Sequence, residues 1–205
     1  MANGKRQRLD PDDRKQLLLQ SARDSLARYG AQGTGVREIC KEIGVSPGLL
    51  THYFNGKDSL FIEAYIDMAQ SYNAEILKIT ENPNFSAEQR MKNLFDLYFS
   101  SDWVDEATTG TYIGFWSLSR TIPELRDAFN KTFKIQHHAI ETLVSDLVEE
   151  RQVDIDPKPF AAFLLVCLEG TWFQLCFNPE VVEKESIQAL CWDWLEIYLL
   201  HKSKS

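Results

Sequence analysis

Two groups of residues in this 205-residue chain have types and spacings that suit specific chemistry. The first lies in Gly44–Phe61, GVSPGLLTHYFNGKDSLF, where small residues precede a short polar run. Thr51 and His52 carry groups that can hydrogen-bond to the edges of DNA bases, and the small residues before them would let a helix approach those edges. Tyr53 and Lys57 suit phosphate groups. This stretch therefore predicts a contact with nucleic acid.

The second group combines aromatic side chains with a single acid. Glu169 stands alone in an otherwise apolar helical segment, and His137 lies on the apolar stripe of another. Aromatic faces attract cations, and a carboxylate would balance the charge, so a lipophilic or quaternary cation is one candidate ligand. A neutral hydrophobic ligand, plain core packing of the aromatics and a satisfied core histidine remain alternatives. The candidate pocket comprises Trp103, Tyr112, Phe115, Trp116, Phe133, His137, Glu169 and Trp172.

Helices are predicted along almost the whole chain, because apolar residues recur at helical spacing and no sustained alternation indicates strands. A short amphipathic helix over 36–43 ends at Gly44, and a Ser-Pro pair starts the next helix, Pro47–Phe54. Leu50 and Phe54 give that helix an inward face. Two short helices joined by a tight glycine turn predict a helix-turn-helix, whose second helix can enter a major groove. The fold class is all-α.

Charge and cysteine content narrow the class of protein. The net charge is −8, yet residues 1–60 hold 10 of the 22 Lys and Arg against 7 of the 30 Asp and Glu, a balance of +3. This asymmetry suggests a nucleic-acid-facing head on an acidic body. The cysteines show no CxxC spacing, which favours reduced core thiols in a cytoplasmic protein without a metal site. They are Cys40, Cys167, Cys176 and Cys191. We expect no signal peptide and no membrane partner.

The span from Gly30 to Phe61 resembles the DNA-binding head of the TetR family of bacterial regulators, through VREICKEIGVSPGLLTHYFNGKDSLF. The later GFWSLSRTIPELRDAFNKTF resembles the choline-responsive BetI-type branch of that family. The resemblance implies a three-helix DNA-binding domain over 1–56 and a helical ligand-binding and dimerisation domain over 57–205, with the helix from Lys57 joining them.

The resemblance also implies DNA contacts. Arg37 would reach a base or phosphate, and Tyr53 and Lys57 would contact the backbone. The residues facing the bases would be Pro47, Gly48, Leu49, Thr51 and His52, and Ser46, at the helix start, is also predicted to contact DNA. Two positions depart from the family pattern. Gly35 replaces the usual threonine N-cap, so either Thr34 caps this helix or the cap is weaker. Thr51 replaces the commoner tyrosine of the recognition helix.

The two final helices, near Phe160–Phe177 and Lys184–His201, are apolar over most of their circumference. Packed against a second copy they would form a four-helix bundle, and a helix-turn-helix protein normally contacts two half-sites. Burial within one subunit is the alternative. The predicted dimer interface comprises Leu164, Cys167, Leu168, Thr171, Leu175, Ile187, Leu190, Cys191, Trp194 and Tyr198.

The sequence thus predicts a ligand-responsive, homodimeric transcriptional repressor with a double-stranded DNA operator and a small-molecule inducer as partners. It predicts no catalytic residues and no cofactor. One alternative is a helical-bundle enzyme or carrier that uses Glu169 and His137 as acid–base groups, which leaves the helix-turn-helix unexplained. Another is an adaptor whose head binds protein.

Overall fold

The structure, a computed structural model, describes residues 10–177, 180 and 183–202. These described residues form nine α-helices and no strand, which confirms the all-α prediction. The helices are α1 (Pro11–Gly33), α2 (Val36–Glu42), α3 (Pro47–Tyr53), α4 (Gly56–Thr80), α5 (Ala87–Tyr98), α6 (Glu106–Ser119), α7 (Pro123–Arg151), α8 (Pro157–Phe177) and α9 (Lys184–Lys202). The basic residues Lys5, Arg6 and Arg8, which contribute to the positive N-terminal balance, lie outside the described residues.

The chain is divided into two compact units. The first unit is Met1–Met68 with Gly110–Ala128, and the second is Ala69–Thr109 with Phe129–Ser205. The boundaries of the units differ from the division between residues 56 and 57 that the sequence suggests. The first unit extends into α4 as far as Met68, and it also includes residues 110–128. Helices α4, α6 and α7 each contribute residues to both units.

The first unit is organised around α1. Asp10 caps this helix by accepting a hydrogen bond from the Asp12 amide at 3.0 Å, as an N-cap acid should. Leu18 and Leu26 are fully buried on its inner side. Towards α4, Arg23 Nη1 donates to Asp67 Oδ2 at 2.7 Å, and the arginine side chain is largely buried. This ion pair therefore holds α4 against α1 near the middle of α4.

Helix α6 packs closely on α1 through its glycines. A Cβ added to Gly110 would lie 2.9 Å from the backbone oxygen of Ala27, and one added to Gly114 would lie 3.1 Å from the Leu26 side chain. Thr111 Oγ1, between the two glycines, donates to the Arg23 carbonyl at 3.3 Å. The spacing of four residues between the glycines puts both on the same face of the helix. Larger residues there would force the helices apart.

We expect Gly110→Ala to lower the free energy of unfolding by about 1–3 kcal/mol, because the new methyl group meets backbone rather than a flexible side chain. Alanine favours a helix over glycine by only about 1 kcal/mol. Gly48→Ala is the matched control, since no atom other than Ser46 Oγ at 3.9 Å lies near its Cβ position. Chemical denaturation of both variants tests this; equal stability of the two would contradict the close α1–α6 contact.

The second unit has a continuous core of α5, α7, α8 and α9 side chains. Ser86 Oγ accepts a hydrogen bond from the Gln89 amide at 3.1 Å and so caps α5. Arg151 at the end of α7 pairs with Glu88 at 2.7 Å and Glu196 at 2.8 Å, which links α5, α7 and α9. Between α8 and α9, the rings of Phe160 and Tyr198 stack with centroids 4.6 Å apart.

Candidate nucleic-acid interface and effector site

The turn between α2 and α3 requires a glycine. Gly44 has φ of +67°, a left-handed conformation that glycine adopts without a steric penalty. Its amide donates to Lys41 O at 3.2 Å, and the Val45 amide donates to Cys40 O at 2.9 Å. These two bonds are the Schellman motif that ends a helix sharply. The chain can therefore begin α3 after only four intervening residues.

The inner face of α3 holds it against the first unit. Leu50 is fully buried, and Phe54, which follows the helix, is almost fully buried. The opposite side faces solvent: Pro47, Gly48, Thr51 and His52 are exposed, and Leu49 and Tyr53 are half-buried. Ser46 and Arg37 are also exposed, and the Ser46 hydroxyl makes no capping bond. Every residue predicted to face the bases is thus accessible to a ligand outside this helix.

Thr34 does not cap α2. Its hydroxyl donates to Gly30 O at 2.7 Å and to Ser25 O at 3.0 Å, so it fastens the end of α1 instead. The N-cap of α2 is Gly35, which has no side chain to bond the helix amides. Of the two alternatives left by the sequence, the weaker cap is therefore present. Contacts with α1 hold α2 in its place, including a bond from Ser21 Oγ to Ile39 O at 3.2 Å.

Lys57 stands where α3 gives way to α4. Gly56, with φ of +90°, makes the turn, and the Lys57 ammonium lies 5.2 Å from the centroid of the Phe61 ring. That cation–π contact keeps a positive charge close to the end of the exposed helix. A charge at this position suits a DNA phosphate.

In the second unit, aromatic side chains surround Trp103, in the turn before α6. Tyr72 and Tyr98 meet the Trp103 ring edge to face, with centroid distances of 4.8 Å and 5.4 Å. The Trp103 indole N–H donates to Glu75 Oε2 at 3.2 Å, and its backbone oxygen accepts from the Trp172 indole N–H at 2.7 Å. We call these five residues the Trp103 cluster. Its hydrogen bonds fix the central ring in position.

Glu169, on α8, lies next to this cluster. Burial raises the pKa of its carboxyl group from the ordinary 4.5 to about 7. Burial and then the charge of Glu169 raise the pKa of Tyr98, so the two groups are close. Among the described residues, no hydrogen bond or ion pair reaches the Glu169 carboxylate. A half-buried acid without a counter-ion beside aromatic rings is a site that a cation would stabilise.

Within the second unit, the structure brings together three residues of the predicted pocket, Trp103, Glu169 and Trp172. Tyr112, Phe115 and Trp116 belong to the first unit, where Phe115 packs edge to face on Tyr65 at 5.5 Å.

Phe133 and His137 have other partners. Phe133 stacks on Phe129 with centroids 6.2 Å apart. The His137 side chain is 39% exposed and lies 3.6 Å from Glu141, so its interpretation as a core histidine is wrong. Sequence reasoning missed Tyr72 and Glu75 as neighbours of Trp103; their i, i+3 spacing on α4 was the available signal. The described ranges hold no group of His, Cys, Asp or Glu arranged for a metal ion.

Comparison with known proteins identifies the family. Residues 18–64 match the family described as "Bacterial regulatory proteins, tetR family", and residues 87–200 match "BetI-type transcriptional repressor, C-terminal". The chain is a TetR-family regulator with a BetI-type C-terminal domain. The HTH-type transcriptional regulator BetI of Vibrio campbellii is 26% identical over 198 residues, which cover 95% of this chain and 96% of that protein.

Solved structures agree with this assignment. A transcriptional regulator from Pseudomonas aeruginosa PAO1 is 27% identical, with a TM-score of 0.86 over 94% of this chain and 93% of the other. A regulator from Saccharomonospora viridis, solved in complex with choline, shares the fold at 18% identity, with a TM-score of 0.76 over 90% and 96% of the two chains. The predicted resemblance is confirmed, and the family consists of regulators, so the enzyme or carrier alternative based on Glu169 and His137 is set aside.

Helices α8 and α9 of this TetR-family regulator carry an exposed apolar face. Leu164, Leu168 and Leu175, predicted at a dimer interface, are instead buried in the core of their own chain. They cannot contact a second copy, because α8 uses that stripe to pack within its own unit. Leu190, from the predicted set, is 59% exposed.

Large apolar residues that the prediction did not include are also exposed on these helices: Phe163, Val166 and Ile197. The other predicted interface residues lie between these extremes, partly buried: Cys167, Thr171, Ile187, Cys191, Trp194 and Tyr198. By length and composition α8 could cross a membrane, with a mean hydropathy of 1.7, yet a third of that window is buried within the protein. The remainder of its apolar surface calls for a partner.

Proposed function

We propose that the chain is a cytoplasmic, homodimeric repressor that releases a near-palindromic DNA operator when a small organic cation binds to its C-terminal domain. The observation that carries the ligand class is Glu169: a half-buried carboxylate without a counter-ion, beside the aromatic rings of the Trp103 cluster. The exposed face of α3 supports the DNA-binding part. A short helix with one buried and one exposed side suits a recognition helix that enters a major groove.

Quaternary ammonium ions are the ligand class that fits these features best. Each aromatic face in contact with such a cation contributes about 0.5–2 kcal/mol, and an ionised carboxylate balances its charge. The choline bound by the Saccharomonospora viridis regulator belongs to this chemical class. We therefore propose choline, betaine aldehyde or a bulkier organic cation as the inducer.

For the inducer to release DNA, it must prefer one conformation of the protein over another. A ligand shifts an equilibrium only if it binds one conformation more tightly than the other, so the inducer must favour a conformation that holds the operator poorly. Helix α4 runs without interruption from beside α3 to Tyr72 and Glu75. We propose that a displacement of the Trp103 cluster reaches the DNA-binding helices along α4.

A second copy of the chain is the proposed occupant of the exposed α8–α9 face. The exposed apolar residues lie on both helices, as a four-helix bundle formed by two copies requires. A dimer would also supply the two DNA-binding heads that a palindromic operator needs. We propose a revised interface centred on Phe163, Val166, Leu190 and Ile197, with the partly buried residues at its border.

Selection from a genomic or random DNA library is expected to enrich a near-palindrome, with affinity that falls steeply as salt rises, at about −0.9 in log–log slope per phosphate neutralised. Lys57→Ala should weaken all sequences equally and reduce the slope by about 1. His52→Ala should cost roughly 1–3 kcal/mol on the operator and relax specificity at one position. If no palindrome is enriched, or if both variants lose affinity uniformly, the assignment of α3 as the recognition helix is wrong.

A further inference from the structure

The outward face of α3 carries few groups that can donate a hydrogen bond to a base. Pro47 has no N–H, Gly48 has no side chain and Leu49 is apolar. Thr51 and His52 are exposed and complete the set predicted to face the bases. Sequence recognition by this helix therefore depends on what these two side chains present to the groove.

The hydroxyl group of Thr51 is already engaged within the helix. It donates to Gly48 O, three residues earlier, at 3.0 Å. Such a bond to the preceding turn is one of the two arrangements that threonine prefers in helices. A hydroxyl has a single proton, so in this arrangement Thr51 cannot also donate to O6 or N7 of a guanine. Its methyl group and the oxygen lone pairs remain available.

The methyl group is the better candidate for base contact. Pro47, Gly48 and Leu49 make the surroundings of Thr51 largely apolar, and an apolar surface favours an apolar partner over a polar one. In the major groove, thymine presents a methyl group at C5, and threonine methyl groups contact it. His52, whose ring meets that of Tyr53 edge to face at 5.3 Å, then provides the polar contact.

We propose that Thr51 specifies a thymine in each half-site through contact between its methyl group and the C5 methyl group of the base. This inference rests on the proposed function, because it requires that α3 enter a major groove. It assigns to Thr51 a different part in recognition from the hydrogen bond that its residue type suggests in the sequence.

The test uses the full-length protein and the selected operator, with each thymine in turn replaced by deoxyuridine, which lacks only the C5 methyl group. At one symmetrical pair of positions we expect the wild type to lose about four-fold in affinity per half-site, or about fifteen-fold for both, the effect of one buried methyl group each. Fluorescence anisotropy at fixed salt gives the ratio of the two dissociation constants.

Two variants separate the methyl group from the hydroxyl. Thr51→Val keeps a methyl group and removes the hydroxyl, so the thymine-to-uracil ratio should persist. Thr51→Ser can repeat the bond to Gly48 O but lacks the methyl group, so its ratio should fall to about one, as expected when the buried methyl contact is gone. Both changes are at an exposed position, and circular dichroism checks that the helix content is unchanged.

The outcomes distinguish this inference from the function on which it rests. If every deoxyuridine duplex binds as tightly as the operator, or if Thr51→Ser keeps the ratio, the methyl contact is disproved while DNA binding stands. Loss of the ratio in Thr51→Val would also overturn it, because the hydroxyl would then carry the contact. If no duplex is bound specifically, the proposed function and this inference fall together.

Discussion

Replacing Glu169 with glutamine is expected to lower the affinity for quaternary ammonium ligands by at least about ten-fold at pH 8, or 1.4 kcal/mol. Glutamine has nearly the same size and shape, so the aromatic neighbours keep their places and only the negative charge is lost. Calorimetric titration of choline, betaine aldehyde and tetraethylammonium into both proteins measures the effect, and operator release is followed in parallel. A reduced affinity should raise the concentration at which DNA is released.

The pH dependence of this binding follows from the pKa of Glu169, which burial raises to about 7. Above pH 7 the carboxylate is ionised and balances the cation. Below pH 7 it becomes protonated and neutral, so affinity should fall, by up to about ten-fold for each pH unit, until it reaches that of the Gln variant. The Gln variant, which cannot titrate at this position, should show no such loss.

The stability of the unliganded protein should change with pH in the opposite direction to its affinity for the cation. The native carboxyl group holds its proton more tightly than the unfolded one, whose pKa is near 4.5. The contribution of the Glu169 carboxyl group to the free energy of unfolding is therefore complete below pH 4.5 and is lost as the pH rises through about 7. At pH 8 the unliganded Gln variant should thus be more stable than the wild type, although it binds cations less well. Thermal unfolding at pH 5 and pH 8 tests the sign.

Glu75→Gln is the matched control for Glu169→Gln. Its carboxylate is exposed and accepts the indole N–H of Trp103, a bond that a glutamine oxygen can also accept. The decrease in affinity below pH 7 should therefore persist in this variant. If no cation binds the wild type, or if Glu169→Gln binds cations as the wild type does, the cation proposal is wrong and the family assignment is unaffected.

Val166→Glu is expected to convert the protein from dimer to monomer at micromolar concentration. Val166 is 64% exposed in the isolated chain, so the substitution should leave the subunit folded. A dimer would enclose the new carboxylate in an apolar interface, and an unpaired buried charge costs several kcal/mol. Operator affinity should fall by a factor of at least about a hundred, because one head alone keeps only half of the contacts. Sedimentation and binding to the operator measure the two effects.

Ile135→Glu provides the control for a new charge on an exposed apolar residue. Ile135, on α7, is 45% exposed and lies away from α8 and α9 in the sequence. This variant should remain dimeric and bind the operator as the wild type does. A Val166→Glu protein that stays dimeric would show that the exposed α8–α9 face has another occupant.

The sequence by itself determined the helix-turn-helix and the all-α class. The reason is that the information there is local: Gly44 permits a left-handed turn, the Ser-Pro pair starts α3, and Leu50 with Phe54 defines its buried side within eight residues. The outward side then follows from helical geometry alone. The state of the Thr51 hydroxyl and the N-cap of α2 needed coordinates, because each depends on a side-chain rotamer.

The tertiary structure alone decided which residues form the candidate effector site and which apolar residues of α8 are exposed. Tyr72, Tyr98, Trp103 and Trp172 come from four separate elements, and a periodic pattern does not say which elements pack together. For α8 the pattern was uninformative in a second way. A helix that is apolar on nearly all sides has no stripe to orient it, so Leu164 and Val166 look alike in sequence. Packing buries the first and leaves the second exposed, because only one side of α8 can face its own core.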